Sequence, residues 1–390
     1  MQIIRGTTPD ILRFILYTYC PLKKLMRLIG YSTGNTNVVV ADLIKRGLIE
    51  EKRVEKNTVL NITKAGIEYL RRYYPIDRDL VRRIRARASG DNKMRQVKLA
   101  ATLQMLNPSI PNYIPQYLSF FERLRSEYEI SSAEVAQQRS TKIENIRKEI
   151  SIREANSQNG NYFLSTREMR ELDSTRMRNM STTRAQGLLS LGGQEYVVYN
   201  TFKARMRAYG DAEWVYRDFI EDLLNKKPQK ALFFGVSNRI AMETINERHG
   251  FGRDYEYIIN NRCYSEQYFV PMNYFGAKQM LVYGNPEFDE RVAKWLVYPE
   301  NQARAQNTTY DGITEDGDIV FLGFKCDLNK IMQVRQNIKS IRAGSEVYVF
   351  CFPHQAELYS YAFGDDGHIY VVDYDEVFRN TGIRARRIGE

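Results

Sequence analysis

Residues 35–70 read NTNVVVADLIKRGLIEEKRVEKNTVLNITKAGIEYL, and this stretch decides how the amino-terminal part of the chain folds. Over residues 35–46, Val39, Val40, Leu43 and Ile44 recur at helical spacing on one face, and Gly47 is the residue type that ends a helix. Residues 48–54 and 58–62 are short β-branched or alternating runs joined by Glu55-Lys56-Asn57, which predicts a hairpin. Thr63 then offers a hydroxyl cap to another helix carrying Ile67 and Leu70. Upstream, Thr8-Pro9-Asp10 combines a cap, a first-turn proline and an acid at the positive dipole end, and the apolar run 11–17 follows. Pro21 is expected to open a second helix, with Leu22, Leu25, Met26 and Ile29 on one face and Lys23, Lys24 and Arg27 on the other, ended by Gly30. The predicted order is helix, helix, helix, hairpin, helix.

Charge is distributed unevenly along the 390 residues. Residues 1–100 hold 21 Lys and Arg against 9 Asp and Glu, and residues 101–390 hold 36 against 38. A polyanion is drawn to concentrated basic charge, because each phosphate contact releases condensed counterions. The amino-terminal part is therefore expected to bind double-stranded DNA and the remainder to be nearly neutral cargo. The element order, with LIKRGLIEE and LNITKAGIEYL, resembles the winged helix-turn-helix modules of MarR-type and PadR-type regulators. In that geometry the first half of the third helix enters the major groove. Asn35, Asn37 and Val38 are then the base-reading candidates, with Thr36 among the DNA-binding residues: asparagine pairs with adenine's major-groove edge and valine packs on a thymine methyl. Lys23, Lys24, Lys45, Arg46, Arg53, Lys56 and Asn57 are the candidates for phosphate contact, extended by Arg82 and Arg83 with Arg85 and Arg87. The rival reading is a protein-docking module whose cations form a solvated face.

The chain is long enough for two or three domains, each with its own core. We expect a winged-helix domain over 1–76, a helical linker or dimerisation region over 77–155, and an α/β domain over 156–390. In the linker, 94–106 and 117–130 are helical in pattern, residues 108–112 break the chain, and 134–152 is polar. Tyr117, Leu118, Phe121 and Leu124 are candidates for a homodimer interface or for ordinary core. Residues 156–161, NSQNGN, read as a loop or hinge. With 43% apolar and 27% charged residues the composition is that of a soluble globular protein. Cys20, Cys263, Cys326 and Cys351 lack CxxC spacing and are expected to be buried thiols of a cytoplasmic protein. No apolar run is long enough to span a bilayer, and MQIIRG lacks a signal-peptide core, so neither membrane insertion nor export is expected.

In the carboxy-terminal half, apolar runs alternate with helical stretches: 231–234 before 240–247, 280–283 before 288–297, 319–324 before 328–341, 347–352 before 355–361, and finally 369–372. This rhythm predicts a mostly parallel, helix-flanked sheet, so the fold class is α+β and α/β, multidomain. Residues 162–164 and 196–199 are expected as an antiparallel edge or a small separate layer.

Catalytic signals are weak there. His249, His354 and His368 show no HxH or HxxH pairing, and no tyrosine sits in a recombinase-like constellation. YDGITEDGDIVFLGFKCD contains Asp311, Asp318 and Lys325, which would suit a Mg²⁺-dependent nuclease, but Gly323-Phe324-Lys325 stands where such enzymes carry Glu-x-Lys. The segment reads as a degenerate nuclease-like relic or as a hairpin before a strand. FFGVSNR has the outline of a phosphate cradle at Gly235, Ser237 and Asn238, and without a full glycine motif a simple helix cap is the plainer reading. HGFGR at 249–253 reads as a turn. No cofactor and no metal site are expected.

YFLSTREMREL, TTRAQGLLSLGGQEYVVYNT and DAEWVYRDFIE, in this order, resemble replication-relaxation proteins of Gram-positive plasmids and integrative conjugative elements. The resemblance implies an amino-terminal winged helix joined to an α/β domain, and a role in replication or conjugative transfer with replication or transfer proteins as partners. It supplies no catalytic residue. Tyr162, Arg184, Gly187, Tyr196, Tyr199, Asn200 and Trp214 match as core. The expectation is a sequence-specific, non-catalytic DNA-binding protein; the alternatives are a metal-dependent nickase and a ligand-responsive transcriptional regulator.

Overall fold

The computed structural model describes residues 8–29, 33–74, 76, 81–82, 92–110, 116–117, 119–120, 143–157, 160–173, 176–177, 184–204, 212–246, 263–305, 309–340 and 344–383. Its internal contacts divide the chain into two compact units, one built on residues 1–157 and 162–175, the other on 158–161 and 176–385. The fold is mixed α and β, with three sheets among the described residues.

The first unit starts with α1 (Thr8–Thr18), which buries Ile11, Leu12, Phe14, Ile15, Leu16 and Tyr17. A 3-10 turn (Lys23–Leu28) follows, then α2 (Thr33–Lys45), the antiparallel hairpin β1 (Ile49–Val54) and β2 (Asn57–Ile62), and α3 (Lys64–Arg71). The expected α-helix from Pro21 is thus a six-residue 3-10 turn. Its first residues are held elsewhere: Leu22 forms an antiparallel bridge to Val59, and Leu60 N donates to Pro21 O at 3.0 Å. A segment tied to a strand edge cannot also wind the first turn of a helix. Thr63 caps α3 as expected, accepting from Gly66 N at 3.1 Å while donating to Gly47 O at 2.7 Å. Gly66 is required because a Cβ there would sit 2.2 Å from Leu48 O.

Helix α4 (Asn92–Leu106), inside the segment expected to be a linker or dimer interface, belongs to the core of this unit. Val97, Ala100, Ala101, Leu103, Met105 and Leu106 are all fully buried. Gln104 on the same helix accepts from Leu22 N and donates to Leu22 O, both at 3.0 Å. Tyr117 is also buried, and Arg167 donates to Tyr117 Oη and to Tyr17 O. Leu118, Phe121 and Leu124 lie outside the described residues. The polar run 134–152 yields part of helix α5 (Ile143–Asn156), followed by β3 (Tyr162–Ser165) and α6 (Thr166–Leu172). Between them Arg153, 1% exposed, bonds Glu149, Glu168 and Phe163 O.

In the second unit, β4 (Ala185–Leu191) and β5 (Gln194–Phe202) form an antiparallel pair, and β5 continues in parallel to β6 (Lys230–Gly235) and β7 (Glu266–Pro271). Helix α7 (Ala212–Leu224) connects β5 to β6, and α8 (Arg239–Asn246) follows β6. Beyond α9 (Tyr274–Tyr283), α10 (Phe288–Leu296) and α11 (Pro299–Arg304) comes a second sheet, ordered β11-β10-β9-β8. Strand β8 (Gly312–Ile313) is antiparallel to β9 (Ile319–Leu322), and β9, β10 (Val347–Cys351) and β11 (Gly367–Val371) are parallel. Their connections are α12 (Leu328–Ser340) and α13 (Ala356–Phe363), and α14 (Tyr374–Thr381) follows β11. The two sheets meet where Phe269 N donates to Cys326 O at 3.0 Å and Tyr268 bridges Asp327.

Residues 280–283, expected as a strand, form the buried end of α9, and the strand of that region is β7. Tyr162, Tyr196, Tyr199 and Asn200 are buried, whereas Arg184 and Trp214 are only partly so. No helix among the described residues is long and apolar enough to cross a membrane.

Candidate nucleic-acid interface

The 3-10 turn, the inner face of α2 and the tip of the hairpin enclose a cleft of about 860 Å³. Leu22, Val40, Ala41 and Ile44 supply its apolar lining, and Lys23, Lys24, Arg27 and Lys56 supply cations, with Asn37, Asn57 and Thr58 between them. The cations come from two separate elements. The 3-10 turn contributes Lys23, Lys24 and Arg27, and the hairpin turn contributes Lys56, beside Glu55 at a φ of +51°. The Leu22–Val59 bridge holds these elements at a fixed separation, so the positive charge is assembled by tertiary structure.

An ion pair joins the turn to the hairpin. Lys23 Nζ lies 2.5 Å from Glu51 Oε1, an exposed pair linking the turn to β1. Asn57, at the head of β2, lies in the cleft lining, with its Nδ2 turned into the protein and buried without a hydrogen-bond partner. Beneath the cleft Cys20 donates to Asn61 Oδ1 at 3.2 Å, and burial pushes its thiol up to about 12, so it stays protonated.

The expected DNA-contacting residues divide into three groups. Lys23, Lys24, Asn37, Lys56 and Asn57 come together in the cleft, and Val38, 67% exposed, stands beside them on α2. Lys45, Arg46 and Arg53 are exposed but line no part of it. Arg46 bonds Asp42 at 3.2 Å and lies over the Tyr69 ring, and the hydrogen bond to Asp42 holds its guanidinium above the ordinary arginine range. Arg53 faces Thr58 across the hairpin, and Arg82 is exposed beside buried Val81. Thr36 is corrected: at 1% exposure it belongs to the core, because the turn of α2 that exposes Asn37 and Val38 turns its neighbour inward. The Asn35 side chain and Arg83, Arg85 and Arg87 lie outside the described residues. Arg27 and Thr58 were missed as site residues; Arg27 was legible as the next cation on the Lys23 and Lys24 side of the same segment.

The nuclease candidates are not assembled into a centre. Asp311 accepts from Lys330 Nζ at 2.7 Å and from Leu322 N at 2.7 Å, and Asp318 accepts from Glu346 N at 2.9 Å. Lys325 pairs with Asp289 at 2.6 Å. All three are occupied in tying strands and helices together, and no group of His, Cys, Asp and Glu among the described residues could hold a metal ion. The FFGVSNR loop is also structural. A Cβ on Gly235 would come within 2.8 Å of the Phe269 ring, and Asn238 Nδ2 donates to His354 O. His249 and HGFGR lie outside the described residues.

His354 is buried in a packed cluster, stacked between Phe275, Phe352 and Tyr374. Gln279 Nε2 donates to Phe269 O, so its Oε1 accepts from His354 Nε2 at 3.0 Å, and Tyr374 Oη donates to His354 Nδ1. Burial lowers the imidazole to about 4, which keeps it neutral near pH 7 and suits this tautomer.

No protein-family model, no curated protein and no solved structure matches the chain.

Proposed function

We propose that this chain is a sequence-specific double-stranded DNA-binding protein that acts without chemistry of its own, and that residues 8–71 are a winged helix with α2 as the recognition helix and the β1–β2 hairpin as the wing. The observation that carries the reading is the cleft between α2 and the hairpin tip, with four cations and two asparagines on its walls. Cations on the 3-10 turn and the hairpin tip, flanking an amide on an exposed helix, suit a duplex, whose backbone takes the cations while its groove takes the amide. The resemblance to replication-relaxation proteins extends the proposal to replication or conjugative transfer of a mobile element, with the second unit positioning replication or transfer machinery. Engagement of Asp311, Asp318 and Lys325 with other partners weighs against the nickase alternative.

The test is selection of bound fragments from random duplex DNA with the full chain, run with and without Mg²⁺. A consensus site recovered intact under both conditions is the expected result. Asn37→Ala should relax preference at one base position, at a cost of about 1–3 kcal/mol there. Arg53→Ala should weaken all sequences alike. Recovery without any consensus, or cut fragments with Mg²⁺, would overturn the proposal.

A further inference from the structure

Far along the sequence from the cleft, strands β10 and β11 present an aromatic face to solvent. Val347, Val349 and Cys351 of β10 are buried, whereas Tyr348 and Phe350 alternate to the other face and are half-buried. The parallel register sets Tyr348 opposite His368 and Phe350 opposite Tyr370. The rings stack in one continuous zigzag: His368 on Tyr348 at 5.1 Å, Tyr348 on Tyr370 at 6.1 Å, and Tyr370 on Phe350 at 5.3 Å, with planes within 22° of parallel. Tyr370 is 46% exposed. A buried core explains stacked rings, but rings stacked across two strands and left open to water expose area that a partner's side chains could cover.

Among the described residues, strand β11 is also the last strand of its sheet. Edge strands are ordinarily blunted by lysine, proline or a bulge, and GHIYV has none of these. Carboxylates predominate among the described residues that follow and precede it. Residues 344–383 contain one arginine against seven carboxylates. Asp365 and Asp366 immediately precede β11, Asp373 follows it, and Glu346, at the foot of β10, pairs with His368 Nε2 at 2.8 Å. Asp318 accepts from Glu346 N, which adds a further carboxylate at the foot of β9.

We propose that β11 accepts an extended, arginine-bearing segment of a partner protein as an added strand. Main-chain hydrogen bonds to the open edge provide the register, alternate arginines stack on Tyr370 and Tyr348, and their remaining donors reach the carboxylates at the strand ends. A nucleic-acid strand also stacks on aromatic rings, but here its phosphates would meet carboxylates. Charge complementarity therefore selects the basic peptide.

The experiment uses the full chain and a fluorescein-labelled peptide alternating arginine with valine, read by anisotropy, beside the same peptide with glutamate for arginine and a labelled oligo-dT strand. The arginine peptide should bind saturably and the glutamate peptide should not. Tyr370→Thr should weaken the arginine peptide about fivefold, and Asp365→Asn with Asp366→Asn should weaken it and flatten its salt dependence. Lys56→Ala, in the other unit, should leave it unchanged. Equal binding of the two peptides, or arginine-peptide binding untouched by both β11-side variants, overturns the proposal. It is also overturned if Tyr370→Thr lowers oligo-dT affinity, or if sedimentation shows a self-associated form that Tyr370→Thr dissociates. Circular dichroism of each variant checks folding; should Tyr370→Thr fail to fold, the asparagine pair on the exposed turn decides.

Discussion

The cleft beside α2 and the aromatic face of β10 and β11 are both built on the edge of a small β structure, yet they carry opposite charge and different polar groups. In the first, cations and amides line a concave site held by a strand bridge; in the second, carboxylates frame a row of rings on an open sheet face. The difference is also one of burial. The first unit closes Glu149 and Glu168 around Arg153, while Glu50, Glu51 and Glu55 stand exposed on the hairpin among its lysines. The last forty described residues show their carboxylates and bury a neutral histidine. On the two proposals, one chain would offer one surface to a polyanion and another to a polycation, the second of which a nearly balanced count over residues 101–390 conceals.

The largest effect that could break this contrast lies in the Arg153 cluster. Arg153→Met leaves two buried carboxylates without their cation, and the expected loss is about 4 kcal/mol of stability in denaturant unfolding. A loss below about 1 kcal/mol would mean that the glutamates are hydrated and the charge is not hidden. Next comes acid titration of the second unit, where two buried groups act in opposite directions. His354, lowered to about 4, is neutral in the fold while the unfolded chain takes up a proton, so its contribution to stability is lost as pH falls from about 6.5 to 4. Asp327, raised by desolvation to about 6, is protonated in the fold while the unfolded chain ionises, so its contribution is lost as pH rises from about 4 to 6. The two nearly cancel. His354→Gln should therefore give a protein that is less stable at pH 6 than at pH 4, and Asp327→Asn the reverse, each by up to about 3 kcal/mol in thermal or urea melts. Parallel pH profiles for the two variants would dismiss the cancellation.

Smaller effects concern the cleft. Lys24→Ala with Lys56→Ala should reduce the slope of log affinity against log salt by about two and weaken all duplexes alike. An unchanged slope would remove these lysines from the phosphate path. Glu51→Gln releases Lys23 from its exposed pair and should tighten binding by about twofold at low salt, in the same titration. Weaker binding would instead show that the pair positions the turn.

Local signals in the sequence were sufficient where structure is local. The hairpin followed from β-branched alternation around a polar turn, and Thr63 was recognisable as a cap because its oxygen needs only the next turn of chain. Residues 21–29 misled because proline and a helical repeat of Leu22, Leu25, Met26 and Ile29 are present, while the partners that pull Pro21 and Leu22 into a strand, Val59, Leu60 and Gln104, lie about 40 to 80 residues away. The run 280–283 misled for another reason: four consecutive apolar residues suit a buried strand or the buried end of a helix equally. In the cleft, the lysines were visible from local charge, but Thr36 could be assigned to the interior only once the rotation of α2 was fixed. The aromatic row on β10 and β11 was hidden more deeply. VYVFC shows its alternation plainly, but which ring stands beside which depends on parallel pairing across a helix.

The bridge between Leu22 and Val59, with Gln104 clamping the same residue from behind, has a mechanical consequence. The 3-10 turn and the hairpin side of the groove are joined directly through Leu22, which opposes their moving apart. On the proposed DNA-binding reading, bending and groove width would then come from the target, and duplexes already of matching curvature would be favoured even at base pairs no side chain reaches.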